Sequence, residues 1–144
     1  MGSLILTVLF ALFFKPSEHL DNQKFLQIEG IKEIQGNIAI MVFNDRDGFP
    51  KDESKAYLKK VIPVNKSQMK IALGDLPTGE YAISVIQDVN SNKKLDMNVL
   101  GIPKEPFGFS NNVSILLGVP GFNRAKITFD EMANSTTIKL IDLY

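Results

Sequence analysis

Cysteine and tryptophan are both missing from the 144 residues, and histidine occurs once, at His19. Without cysteine, the chain has no disulfide bond, no thiolate nucleophile and no zinc–cysteine site. The single histidine lies near the amino terminus, so a domain that begins beyond residue 21 has no imidazole for general-base catalysis or for binding zinc or iron. These absences argue against an enzyme, and we predict a non-enzymatic protein.

An excess of charge of either sign is also missing, because 16 acidic and 16 basic residues cancel. No basic field is available to hold nucleic acid or an anionic membrane, so we expect no nucleic-acid partner and no membrane insertion beyond the leader described next. An apolar content of 44% is ordinary for a globular core, and the length fits one domain.

The run from Leu4 to Phe14 is almost wholly apolar. It is too short for a bilayer-spanning helix, which needs about 20 apolar residues. The run is typical of a secretory signal peptide, although no Lys or Arg precedes it and no small-residue cleavage motif follows. A buried first strand or a short anchoring helix is the alternative. We predict a leader over residues 1–21, a domain over residues 22–144, and an exported protein (periplasmic, secreted or in the cell envelope) with an unknown extracellular or envelope ligand.

From Lys24 onward, apolar residues recur with a period of two rather than 3.6, which indicates strands. The predicted strands lie around residues 26–28 and at 37–43, 61–64, 69–73, 80–87, 127–129 and 136–143. The second strand is apolar on both faces, which is typical of a covered central strand, and Pro63 favours an edge position for the third. About seven short strands with little helix predict an all-β fold, a single antiparallel β-sandwich with long loops. A closed barrel is the alternative.

The most informative stretch is the acidic loop that follows the strand at 80–87. Oxygen-bearing side chains recur at alternate positions around one backbone carbonyl, and the candidate calcium ligands are Asp88, Asn90, Asn92, Lys94 (through its carbonyl) and Asp96. The loop is not an EF-hand, because Lys93 stands where that motif has glycine and Val99 where it has glutamate. The sequence therefore predicts either a calcium site or a turn whose side chains bond their own backbone.

A second acidic cluster, Asp45 and Asp47, follows the strand at 37–43. The two acidic loops would share a metal or ligand site if their strands placed them at the same end of a sheet, but two independent turns are the simpler interpretation. Pairs of carboxylates also catalyse glycoside hydrolysis. A carboxylate-based hydrolase acting on an extracellular polymer is therefore the alternative function, and its candidate residues are Asp45, Asp47, Asp88, Asp96 and Glu105.

Four phenylalanines stand among glycines and prolines in predicted loops: Phe49, Phe107, Phe109 and Phe122. Such a set forms either an exposed binding patch or a packed plug beneath long loops at the open end of a sandwich. We favour the plug.

Three stretches, residues 42–50, 75–82 and 88–112, together resemble a bacterial family, the domain of unknown function 2141. The most specific block begins Asp-Val-Asn-Ser-Asn-Lys-Lys-Leu-Asp at Asp88 and ends Gly-Phe-Ser-Asn-Asn at Asn112. The resemblance implies an exported single-domain β-sandwich related to prealbumin-like and collagen-adhesin repeat modules, with no activity to transfer. Members typically have histidine and glycine where this chain has Gln87 and Lys93. We predict an uncharacterised exported module with a binding or envelope-structural role, with Ca²⁺ as the one candidate cofactor.

Overall fold

A computed structural model describes residues 22–144, and the predicted leader over residues 1–21, with His19, lies outside them. The described chain is mostly β, with eight strands in two sheets. The strands are β1 (Gln23–Glu29), β2 (Asn37–Phe43), β3 (Leu58–Pro63), β4 (Met69–Asp75), β5 (Gly79–Asp88), β6 (Phe107–Phe109), β7 (Ile127–Phe129) and β8 (Ser135–Lys139). Within residues 22–144, helical structure is limited to 3-10 turns at Glu53–Lys55 and Ser110–Asn112 and to one short helix, α1 (Phe122–Ala125). Nothing helical between residues 22 and 144 is long and apolar enough to cross a bilayer.

The two sheets are built around β1 and β5. One sheet has three strands in the order β4-β1-β8, and the other has the order β3-β2-β5-β6, with β7 also paired to β5. Along one edge β5 pairs with β2, while β7 and β6 pair with successive parts of its other edge. The predicted central position of residues 37–43 is confirmed, and β3, which ends at Pro63, lies at the sheet edge as predicted.

One hydrophobic core lies between the two sheets. It is formed by alternate residues of strands from both sheets, among them Leu26, Ile28, Ile71 and Leu73 from one sheet and Ile38, Ile40, Val42, Ile83 and Val85 from the other. This alternation is what a period of two produces when one face of each strand is buried. The all-β prediction is therefore confirmed, and two facing sheets around a shared core are compatible with a β-sandwich.

A second apolar cluster lies on the opposite face of the five-stranded sheet. Ala82, Phe107, Phe109 and Ala125 are buried in it, and Phe49, Phe122, Ile86, Val113, Ile115 and Ile141 pack against it partly buried. The ring of Phe49 meets those of Phe109 and Phe122 edge-on, with centroids 6.2 Å apart in each pair. The four phenylalanines therefore pack together as predicted, but on a sheet face rather than at the open end of the sandwich.

The described strands number eight rather than about seven, because β6 lies inside what was predicted as a loop. Contacts with β5 and with β8 explain why so short a segment becomes a strand. The amide of Gln87 donates to the carbonyl of Pro106 at 2.8 Å, which starts the pairing with β5. Gly108 also lets β6 approach β8, since a Cβ at that position would lie 2.7 Å from the Ile138 side chain. Such tertiary contacts leave no periodic signal in a three-residue segment.

The sheets are also not wholly antiparallel, as they were predicted to be. β1 pairs with β8 in parallel, in a register that places Leu26 opposite Thr136 and Ile28 opposite Ile138. Parallel neighbours need a long crossover, and here nearly the whole domain separates the two strands. The alternation of apolar residues is the same for both strand directions, so the sequence pattern carries no information about this pairing.

Candidate functional site

The acidic loop leaves the end of β5 and lies close to the turn before β2. The strand register places Asp88 opposite Asn37. Gly36 precedes that residue with a φ of +71°, and a Cβ there would overlap the carbonyl oxygen of Asp88. The loop therefore begins where the backbones of two chain segments touch, and only glycine fits on the β2 side.

Asp88 anchors the first half of the loop. The residue is 6% exposed, and the two oxygens of its carboxylate accept hydrogen bonds from the amides of Asn92 at 3.1 Å and Lys93 at 2.8 Å. Lys93 adopts a φ of +63°, in the region that favours glycine. The tight conformation thus forms with lysine at a position where the resemblance implies glycine.

Three further side chains converge on the same loop. The amide nitrogens of Asn90 and Asn92 donate to the Asp96 carboxylate at 2.7 and 3.0 Å. The oxygen of Asn90 accepts from the amide of Asn92 at 3.1 Å, and the oxygen of Asn92 accepts from the amide of Lys94 at 2.8 Å. The structure therefore brings together the four side chains predicted as ligands and places them in the hydrogen bonds of an Asx turn.

Glu105 contacts the backbone near both ends of the loop, although the sequence pattern predicted it only as a hydrolase candidate. The residue is 6% exposed, and the two oxygens of its carboxylate accept hydrogen bonds from the amides of Val89 at 3.0 Å and Asp96 at 3.1 Å. A second bond, from the amide of Lys104 to the carbonyl of Asp96 at 2.8 Å, holds the same end of the loop. In the sequence Glu105 is one acidic residue between two prolines, and nothing in that pattern indicates burial.

The carboxylates near this loop have not paired with cations. Between residues 22 and 144, none of the four ion pairs involves Asp88, Asp96 or Glu105. Across the same residues, no group of three or more His, Cys, Asp or Glu side chains is arranged to hold a metal. A calcium ion here would therefore also need the amide oxygens of Asn90 and Asn92 and backbone carbonyls, which are ligands that calcium accepts.

The second acidic cluster lies at the other end of the sheet. β2 and β5 are antiparallel, so Phe43, just before Asp45, pairs with Ala82, whereas Asp88 pairs with the first residue of β2. Six strand steps of about 3.4 Å separate the two ends by roughly 20 Å. The two loops thus form no shared site, and no catalytic pair can be drawn from one loop and the other, since such pairs lie about 5–9.5 Å apart.

The side chains of the second cluster are engaged in their own turn. Asp45 accepts from the amide of Asp47 at 2.8 Å, and the Asp47 carboxylate lies 3.0 Å from the ammonium of Lys55. This hydrogen bond and the opposite charge raise the pKa of Lys55. Both acidic residues therefore belong to an exposed, self-contained turn.

Comparison with known proteins identifies the family of the chain. A family model described as "uncharacterized protein conserved in bacteria (DUF2141)" matches residues 26–138. The chain belongs to the DUF2141 family. No curated protein and no solved structure matches it significantly. The match includes both acidic loops and Glu105, so the site lies within the part of the chain that defines the family.

Gln87 occupies the position where the resemblance implies that DUF2141 members have histidine. It is fully buried, and its amide nitrogen donates to the carbonyls of Glu33 at 2.8 Å and Gln35 at 3.0 Å. Its buried Oε1 accepts no hydrogen bond from the described part of the chain. In this member Gln87 therefore links β5 to the segment before β2 through side-chain hydrogen bonds.

Proposed function

We propose that this DUF2141 protein is a non-enzymatic, exported β-sandwich module of the prealbumin-like kind, with a binding or structural role in the bacterial envelope. We propose further that calcium binds the loop from Asp88 to Asp96 and stabilises that end of the sandwich. The observation that carries the proposal is the convergence of Asp88, Asn90, Asn92 and Asp96 within one loop.

The charge around the loop supports a cation. Asp88 and Asp96 belong to the loop, and Glu105 accepts hydrogen bonds from two backbone amides of the loop. Three carboxylates are therefore bonded within or to one short segment. Lys93 and Lys94 are exposed, and solvent and salt screen the charges of exposed lysines. A bound cation would therefore offset negative charge that the surrounding side chains leave uncompensated.

Thermal unfolding in calcium and in chelator tests this proposal. A metal that binds only the folded protein stabilises it by about 2.7 kcal/mol at a hundred times its Kd, which for a domain of this size raises Tm by roughly 5–10 °C. We expect such a shift in the protein and its loss in Asp96→Asn, since that change removes a charge from the oxygen cluster and keeps the shape of the side chain.

Asp45→Asn is the matched control, because Asp45 is likewise a turn aspartate whose carboxylate accepts a hydrogen bond, here from the backbone amide of Asp47, but it lies at the opposite end of the sheet. It should keep the full calcium shift. Identical melts with and without calcium, or an Asp88→Ala variant that is destabilised equally in both conditions, would show that the loop is a metal-free hydrogen-bonded turn.

A further inference from the structure

The stretch from Pro106 to Asn123 contains no charged residue, although 22% of the chain is charged. Its two halves are buried very differently. Phe107 and Phe109 lie inside the second apolar cluster. Leu116 and Leu117, by contrast, are 92% and 86% exposed, and Val119 is 55% exposed. The stretch therefore contains an apolar tip, residues 115–119, whose residues 116–119 the rest of the described chain leaves exposed.

The tip is a closed turn on a fixed base. The amide of Gly118 donates to the carbonyl of Ile115 at 2.8 Å, which closes the turn. At its base, the guanidinium of Arg124 donates to the carbonyl of Ser114 at 2.9 Å. Ile115 packs against the second apolar cluster. Leu116 and Leu117 are therefore exposed on a turn that has an internal hydrogen bond and is attached to the rest of the domain at its start.

A shallow groove with two arginines adjoins the tip. It is lined by Arg46, Phe49, Gly121, Phe122, Asn123 and Arg124. Among the ion pairs of residues 22–144, none involves either arginine. Of the acidic neighbours of Arg46, Asp47 is paired with Lys55, whereas Asp45 accepts a backbone amide and keeps its negative charge. Two guanidinium groups that form no ion pair with the described residues therefore lie beside an exposed apolar turn.

We propose that this end of the molecule docks on an anionic phospholipid surface. Leu116 and Leu117 would enter the boundary between headgroups and acyl chains, as apolar side chains do in interfacial proteins, and Arg46 and Arg124 would contact lipid phosphates, which guanidinium groups bind well. A small soluble anion would engage the arginines but leave the leucines in water. Backbone in a turn cannot enter the hydrocarbon core without unsatisfied polar groups, so the contact is peripheral.

A single introduced tryptophan tests the proposal, because the chain has no other indole. We would place Leu117→Trp in the full chain and record its emission with phosphatidylcholine vesicles, with and without phosphatidylglycerol, and with acyl-brominated lipids. The expected result is a blue shift and bromine quenching that require phosphatidylglycerol and weaken in high salt. Adding Arg46→Gln should weaken the vesicle titration about fivefold, as expected for one basic residue at an anionic surface.

Leu100→Trp is the matched control. Leu100 is 79% exposed and belongs to the connection that leads into β6 from the Asp88 end, and the variant keeps the same residues 1–21. It should remain water-like when the Leu117→Trp variant is quenched. Equal quenching of the two variants, or no response at Leu117→Trp, would overturn the proposal. A blue shift that needs no vesicles and grows with protein concentration would assign the tip to a second copy of the chain and also overturn it.

Discussion

Glu105 shows how one residue can fix a loop that it does not belong to. It lies nine residues beyond Asp96, yet its buried carboxylate accepts the amides of Val89 and Asp96, one near each end of the loop. Hydrogen bonds to a carboxylate are stronger than those between neutral groups. A single acidic side chain therefore sets the spacing of the two ends between which the oxygen-bearing residues lie.

Glu105→Gln is expected to destabilise the protein by about 1–3 kcal/mol, the cost of leaving a buried polar group unpaired. Glutamine has one acceptor oxygen, so its NH₂ group would face one of the two backbone amides. Chemical denaturation of the purified variant measures the change. Glu131→Gln, at an exposed acidic position, should stay within about 0.5 kcal/mol of the unmodified protein. Equal stability of the two variants would show that the buried carboxylate has no special role.

Among the strands, β5 contributes to both apolar clusters and leads into the acidic loop. Its inward residues, such as Ile83 and Val85, enter the main core, while Ala82 and Ile86 on its other face belong to the second apolar cluster. Its last residue is Asp88, where the acidic loop begins. The loop therefore begins on the strand that is paired along both edges, and its position depends on close backbone packing rather than on side chains alone.

Gly36→Ala compared with Gly101→Ala tests the close packing beside β5. Both glycines have a similar positive φ, +71° and +75°, but only Gly36 has neighbours that a Cβ would meet. The left-handed backbone alone should cost each variant about 1–2 kcal/mol. Overlap with the Asp88 backbone should cost Gly36→Ala about 1–3 kcal/mol more.

Denaturant unfolding of the two alanine variants measures this difference, and the calcium response of Gly36→Ala should fall with it. If both variants lose the same stability, the contact between Gly36 and Asp88 does not constrain the loop.

The two acidic clusters lie at opposite ends of the five-stranded sheet. The acidic loop with Glu105 lies at the end where β5 finishes, and the turn with Arg46 and Asp47 follows β2 at the other end. A net charge of zero predicts no attraction to an anionic surface, but the proposed lipid contact depends on two local arginines rather than on the total. The net charge of the whole chain therefore does not describe how charged residues are distributed between the two ends.

A double-mutant cycle on Asp47 and Asp88 tests the separation of the two ends. Distant, unconnected sites contribute additively to within about 0.5 kcal/mol. We expect the destabilisation of the double variant Asp47→Ala/Asp88→Ala to equal the sum of the single changes within that limit. A larger coupling energy in denaturant unfolding would mean that the two acidic loops communicate, as a shared site requires.

Much of the fold could be predicted from local pattern. Residues 37–43 form a strand with the predicted bounds, and Pro63 does lie at a sheet edge, because burial on alternate sides and the missing amide of proline act locally. The strand β6 was missed, since Phe107 to Phe109 pairs only because β5 and β8 lie beside it. The spacing of the oxygen-bearing residues along the acidic loop could be read from the sequence for the same local reason, whereas the burial of Glu105 could not.

By itself the sequence determined the all-β class, the alternating core and the spacing of Asp88, Asn90, Asn92 and Asp96 along one loop, because each depends on residues that are neighbours in the chain. The tertiary structure alone decided the parallel pairing of β1 with β8 and the separation of the two acidic clusters. It also decided which apolar residues are buried and which, like Leu116 and Leu117, stay in water. Strand direction and burial are set by segments far apart in sequence, and no local pattern encodes them.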